Sequence, residues 1–102
     1  MLFLAISTPR PERPSTMAAS RERYWEWLAP LQRDGTCKWT YARTGRGAVA
    51  VFDVDSNETL HRLLNEWAEI IPSTFEIFPL IDPAQARRFL RAQRKRPAKA
   101  RR

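Results

Sequence analysis

Residues 47–65, GAVAVFDVDSNETLHRLLN, constrain the fold of this chain more than any other segment. Residues 48–54 are short, apolar and rich in β-branched side chains, which is typical of a buried strand. Asp55 or Ser56 can then accept the free amide hydrogens of a helix N-terminus, and Glu58 adds a carboxylate to the first turn. The segment therefore predicts one strand, one tight turn and one capped helix.

The rest of the chain adds three strands and one helix to this unit. The predicted strands cover residues 2–7, 36–44, 48–54 and 74–80, and the predicted helices cover residues 16–34 and 57–70. Pro30 is expected to kink or interrupt the last turn of the first helix. The resulting order is the ferredoxin-like plan of an α+β protein, with a four-stranded antiparallel sheet and two helices on one face.

Three segments together resemble the muconolactone isomerase family and its wider set of small isomerase-like proteins. They are LQRDGT at residues 31–36, the strand–turn–helix at residues 47–65 and FEIFPL at residues 75–80, with a weaker match at Met1-Leu2-Phe3. The resemblance implies a dimeric α/β barrel, in which two such sheets pair face to face. Four tryptophans and five phenylalanines also favour a second apolar sheet face that a partner would cover. We therefore expect a homodimer or a larger homo-oligomer.

The reaction of the resembled family moves a double bond within an unsaturated lactone by proton transfer next to a carbonyl. It requires a base, a hydrogen-bond donor for the enolate oxygen and a dry pocket, and it uses no metal or organic cofactor. Residues 67–74 and the second strand depart from the family pattern, so the expected small-molecule substrate is another unsaturated lactone, an enone or a polyketide-like compound. The chain is then an isomerase or cyclase. A cofactor-free oxygenase and a non-catalytic binding protein are the alternatives.

His61 and Glu76 are the candidate catalytic residues. His61, the lone histidine, matches the histidine of the family's leucine–histidine pair and titrates near neutral pH in its ordinary state. Glu76 falls where muconolactone isomerases carry an acidic residue in the fourth strand, and burial there would make it a usable base. The structural alternatives are a half-exposed helix residue for His61 and an edge-strand charge that discourages aggregation for Glu76.

The second strand supplies the candidate substrate-binding residues. Alternation places Cys37, Trp39, Tyr41 and Arg43 on one face of this strand. Arg43 is suited to bind a carboxylate or stabilise an enolate, Tyr41 to donate a hydrogen bond, and Trp39 to bracket a planar ring. The alternative is that the two aromatic residues only pack and that Arg43 is solvated at the strand end.

The charge distribution divides the chain into a folded domain at residues 1–82 and a basic tail at residues 83–102. Nine of the 18 basic residues lie in the tail, which has no acidic residue, so residues 1–82 carry nine basic and 11 acidic residues. This mildly acidic domain does not favour nucleic acid, although the tail could bind an acidic partner. The tail is predicted to begin as a short helix and to be disordered beyond Arg94.

Cys37 is the only cysteine of the chain. A single thiol forms no intrachain disulfide, and with one histidine it forms no zinc site. A reducing, cytoplasmic location is therefore expected. The sequence also predicts no membrane span, because no apolar run approaches the length that one needs.

Overall fold

The structure is a computed structural model that describes residues 1–95. Its elements are β1 (Leu2–Pro9), a short 3₁₀ turn (Pro14–Met17), α1 (Ala18–Arg33), β2 (Cys37–Ala42), β3 (Ala48–Asp53), α2 (Asn57–Ile70), β4 (Ser73–Leu80) and α3 (Pro83–Lys95). The predicted order of four strands and two helices is confirmed, and α3 follows them as a third helix. Disorder is predicted beyond Arg94. Lys95 still belongs to α3, and residues 96–102 lie outside the described residues.

The four strands form one sheet in the order β2-β3-β1-β4, and every neighbouring pair is antiparallel. This is the ferredoxin-like topology that the sequence predicts. The helices α1 and α2 pack on one face of the sheet and contact each other. The other face, called the open face below, has no element of residues 1–95 packed on it. None of the helices in residues 1–95 is long and apolar enough to cross a membrane.

The hydrophobic core lies between the sheet and the two packed helices. Its largest buried side chain is Trp67 of α2, which is 1% exposed. The Trp67 ring lies 4.9 Å from Tyr24, 5.1 Å from Phe75, 6.2 Å from Trp27 and 6.3 Å from Phe52, measured between ring centroids. Tilted and edge-to-face contacts of this kind stabilise aromatic clusters beyond the area that they bury. One tryptophan therefore joins α1, α2 and the sheet.

Helix α2 has the predicted bounds, whereas α1 begins at Ala18, two residues after its predicted start, because residues 14–17 form the 3₁₀ turn. Ser56 is the N-cap of α2, because its Oγ accepts a hydrogen bond of 3.1 Å from the Thr59 amide. Pro30 does not interrupt α1, which continues to Arg33, and the Asp34 amide donates to the Pro30 carbonyl over 3.0 Å. A proline this close to a helix C-terminus removes one amide donor only, so the last turn survives.

A β-bulge at Lys38 divides β2 into two parts. Cys37 pairs with Phe52 and Trp39 pairs with Val51, so Lys38 is an extra residue in the strand. Since an extra residue shifts the alternation by one position, Cys37 points towards the helices and is buried, whereas Trp39 points to the open face. The prediction that Cys37 and Trp39 share a face is therefore wrong.

A hydrogen bond between the helices predicts how stability depends on pH. Trp27 Nε1 donates to Glu66 Oε1 over 2.9 Å, and Arg62 Nη1 donates to Glu66 Oε2 over 2.8 Å. These bonds, that of Trp27 above all, lower the pKa of Glu66 from its ordinary value of 4.5. A lowered pKa means that the contribution to stability is complete above pH 4.5 and is lost as the pH falls through the lowered value.

Urea denaturation tests this dependence on the wild type and on Glu66→Gln. From about pH 6 to about pH 3, the difference between the two urea midpoints should shrink, because Glu66 loses its charge as the pH falls whereas the glutamine of the variant is neutral throughout. A difference that stays constant over this range would contradict the prediction. Glu69→Gln on the same helix is the control, since Glu69 is exposed and forms no hydrogen bond with the rest of residues 1–95.

Candidate functional site

The open face carries four of the five predicted site residues. The pairing register arranges it in rows across β2, β3, β1 and β4: Tyr41, Val49, Ile6 and Glu76 form one row, and Trp39, Val51, Leu4 and Phe78 form the next. Arg43, Thr8 and Thr74 flank the first row on its other side. The structure therefore brings Glu76, Arg43, Tyr41 and Trp39 onto one largely apolar surface.

Trp39 and Tyr41 form an aromatic pair on the edge strand β2. Their rings meet edge to face with centroids 4.9 Å apart, and the side chains are 46% and 61% exposed. Such a pair offers a flat apolar wall with a phenol hydroxyl at its rim. Tyr41 and Glu76 stand on opposite edge strands, three strand spacings or roughly 14 Å apart. The aromatic pair and Glu76 thus frame the two sides of the face.

Arg43 reaches inward from the end of β2 towards β1. Its Nη1 donates to the Ser7 carbonyl over 2.8 Å and to Thr8 Oγ1 over 3.1 Å. The side chain passes Gly47, which has a φ of +96° and whose missing Cβ would lie 2.4 Å from the Ser7 carbonyl oxygen. None of the ion pairs within residues 1–95 includes Arg43. Its guanidinium is therefore held in place with its charge free to meet an anion.

Glu76 lies in the middle of β4, opposite Ile6. Within residues 1–95 its carboxylate forms neither an ion pair nor a hydrogen bond. Thr8 pairs with Thr74, so Glu76 is the diagonal cross-strand neighbour of Thr8. The Cα atoms of such neighbours are typically about 7–8 Å apart. Thr8 also accepts a hydrogen bond from Arg43, so the Glu76 carboxylate and the Arg43 guanidinium both lie beside Thr8 on the open face. The open face therefore carries an exposed carboxylate and a guanidinium that Thr8 and Ser7 hold in place.

His61 is not part of this arrangement. It is exposed on α2, where Asn65 Nδ2 lies 3.3 Å from His61 Nε2 and donates to the His61 carbonyl over 2.8 Å. A shallow groove that Trp27 and Glu66 also line surrounds it. Since α2 packs on the face of the sheet opposite the open face, the structure does not bring His61 and Glu76 together. A catalytic role for His61 stays a prediction.

Sequence reasoning missed two residues that shape this site, Thr8 and Gly47. The apolar alternation from residue 2 onwards places Thr8 on the open face, but nothing in the sequence indicates that Arg43 binds it. The glycines of the turn at residues 45–47 indicate a hairpin without indicating the close approach to Ser7. Residues 1–95 contain no group of three or more His, Cys, Asp and Glu side chains placed to hold a metal ion.

Comparisons with known proteins agree with this fold. A family model described as "Domain of unknown function (DUF3303)" matches residues 1–94. The structure of a muconolactone isomerase is 27% identical in sequence with a TM-score of 0.65, and the match covers 81% of this chain and 92% of the isomerase. The predicted resemblance to the muconolactone isomerase family is confirmed. No curated protein matches the chain at a significant level.

A second solved structure has the same fold at lower identity. It is 5-chloro-2-hydroxyhydroquinone dehydrochlorinase (TftG) from Burkholderia phenoliruptrix AC1100, in complex with 2,5-dihydroxybenzoquinone. The two sequences are 16% identical, the TM-score is 0.63, and the match covers 83% of this chain and 98% of the dehydrochlorinase. Because the identity is so low, this likeness shows the fold alone.

Proposed function

The chain belongs to the DUF3303 family, and from its muconolactone isomerase-like fold we propose that it is a cofactor-independent isomerase or cyclase. It acts by proton transfer next to the carbonyl of an unsaturated lactone, an enone or a polyketide-like small molecule. The observation that carries the proposal is the placement of Glu76 and Arg43 on one apolar sheet face, where Arg43 bonds to Thr8 and Glu76 is the diagonal neighbour of Thr8. The neighbour at 27% identity is named as an isomerase, which supports an enzyme of this kind.

The proposed reaction uses these two side chains in sequence. The Glu76 carboxylate takes a proton from the carbon next to the substrate carbonyl, which leaves an enolate. The negative oxygen of the enolate is stabilised by the Arg43 guanidinium. Protonated Glu76 then returns the proton to another carbon of the conjugated system, so the double bond moves and no atom is gained or lost. Trp39 and Tyr41 form a wall for the planar substrate.

A second copy of the chain would complete this site. The open face includes Trp39, Phe78 and Leu80, which are 46%, 45% and 38% exposed, and an apolar surface of this kind is uncommon on a monomer. Pairing two open faces would exclude water from Glu76 and Arg43, as enolate chemistry requires. We expect sedimentation equilibrium to give the mass of a dimer or larger oligomer rather than the 11.9 kDa of one chain. A monomer would contradict this arrangement.

The Glu76→Gln variant tests the proposed reaction. Turnover of muconolactone and of simple unsaturated lactones and enones in deuterated water, followed by NMR, should fall by about 10²–10⁴-fold, because the amide is no base. Glu58→Gln, which removes an exposed carboxylate from the first turn of α2, should leave turnover unchanged. Equal turnover by wild type and Glu76→Gln would sink the assignment of Glu76 as the base.

Two other outcomes would point to the alternative functions. Consumption of oxygen during turnover would indicate a cofactor-free oxygenase. Binding of these compounds without deuterium uptake or product formation would indicate a binding protein on the same fold.

A further inference from the structure

A cavity of about 150 Å³ lies on the helix side of the sheet, beside α1 and the turn between β2 and β3. Three aromatic residues contribute to its wall: Tyr24, Trp25 and Trp67. Tyr24 and Trp25 meet edge to face with ring centroids 4.9 Å apart. Apolar protein cavities of this size accept a benzene-sized ring. The dimensions and the walls of the cavity therefore suit one flat ring.

The same cavity is lined by three arginines and by no carboxylate. Each guanidinium donates to a backbone carbonyl: Arg21 Nη2 to Pro14 over 3.3 Å, Arg43 Nη1 to Ser7 over 2.8 Å and Arg46 Nη1 to Glu12 over 2.6 Å. None of the three takes part in an ion pair within residues 1–95. Carbonyl oxygens hold these side chains without neutralising them, so three positive charges surround one cavity.

Other groups near the cavity do not supply the missing negative charge. Glu22 and Glu26 of α1 do not line the cavity, and the Glu12 side chain of the preceding loop is paired with Arg10 over 2.9 Å. Burial raises the pKa of Tyr24 well above its ordinary value, so its phenol stays neutral. An anion between the three guanidiniums would relieve their mutual repulsion and would receive charge-assisted hydrogen bonds from donors that are still free.

We propose that this cavity binds a small organic anion, a carboxylate on one flat unsaturated ring, with the ring against Tyr24 and Trp25 and the carboxylate between Arg21, Arg43 and Arg46. Guanidinium groups match the two oxygens of a carboxylate, and the aromatic wall favours a ring over a bare inorganic anion. The inference shares Arg43 with the proposed reaction, but it does not depend on Glu76, which lies on the other face of the sheet.

Benzoate is the probe for this site. Isothermal titration calorimetry and tryptophan fluorescence should show saturable binding of benzoate to the full chain, since Trp25 and Trp67 line the cavity. Binding should weaken by about 10-fold or more in Arg21→Gln and in Arg46→Gln, each of which removes a charged donor. Arg23→Gln is the matched control: Arg23 lies on the same helix, is exposed and does not line the cavity. Near-ultraviolet circular dichroism checks that each variant is folded.

Three results would overturn the inference: no binding of benzoate, equal binding by wild type and the two cavity variants, or binding of the uncharged benzyl alcohol as tight as that of benzoate. Glu76→Gln separates this inference from the proposed function, because it should lower turnover by about 10²–10⁴-fold and leave benzoate binding unchanged. Benzoate binding without any turnover of the enones and lactones would count against the isomerase alone. Turnover without benzoate binding would count against the cavity alone.

Discussion

Replacing Trp67 by alanine should lower the free energy of unfolding by about 3–5 kcal/mol, the largest effect that we expect of a single substitution in this chain. The Trp67 ring is 1% exposed and contacts aromatic rings of α1, β3 and β4. Its loss would leave a cavity where three elements meet. Domains of this size have a total stability of about 5–15 kcal/mol, so the variant should be close to unfolding at about 37 °C.

Urea denaturation followed by far-ultraviolet circular dichroism measures this loss. Phe89→Ala is the control, because Phe89 of α3 is also a large aromatic residue but is 60% exposed. The control should change the free energy of unfolding by about 0.5 kcal/mol or less. Equal effects of the two substitutions would show that the aromatic cluster does not hold the helices on the sheet.

Replacing Gly47 by alanine should destabilise the fold by about 2–4 kcal/mol. The two causes are a left-handed backbone and a steric clash of the new methyl group, and a matching substitution of Gly45 distinguishes them. Gly47 has a φ of +96°, and an added Cβ would lie 2.4 Å from the Ser7 carbonyl oxygen and 3.2 Å from the Pro9 ring. Gly45 has a nearly equal φ of +95°, with nothing within 4 Å of an added Cβ. Gly45→Ala should therefore show only the cost of the left-handed backbone, about 1–2 kcal/mol.

The difference between the two glycine variants isolates the close approach to Ser7. Thermal and urea unfolding of both variants give this difference, and it should be positive by about 1–2 kcal/mol, because the contact is with backbone atoms that cannot move aside cheaply. The same clash would displace Arg43, which bonds to the carbonyl that the new methyl group meets. Equal destabilisation by the two substitutions would show that the chain adjusts freely at residue 47.

Local patterns were sufficient to predict most of the fold. The helix at residues 57–70 has the predicted bounds, because Ser56 is a strong N-cap and Pro72 lies just beyond its end. Period-two alternation was sufficient to place Trp39 and Tyr41 on one face of the second strand, because successive side chains of a strand point to opposite sides. These features depend on residues that are neighbours along the chain, and such features are the ones that a single sequence specifies best.

The features that the sequence did not predict depend on contacts between distant segments. The bulge at Lys38 carries no glycine to mark it, so the alternation before and after it could not be separated. Arg21 and Arg46 lie on a helix and in a turn, and only the folded chain brings them to one cavity. Each is held by a backbone carbonyl, a group that every residue has and that therefore leaves no signal in the sequence.

The bulge at Lys38 also determines which side chains of β2 reach the open face. Before the bulge, Cys37 serves the packing of the helices; after it, Trp39 and Tyr41 serve the open face. Deletion of Lys38 would turn the residues on one side of it, either Cys37 or Trp39 and Tyr41, to the opposite face of the sheet, although no other side chain would be altered. In relatives of this chain, an insertion or deletion of a single residue in β2 is therefore as consequential for the site as a substitution of Trp39 itself.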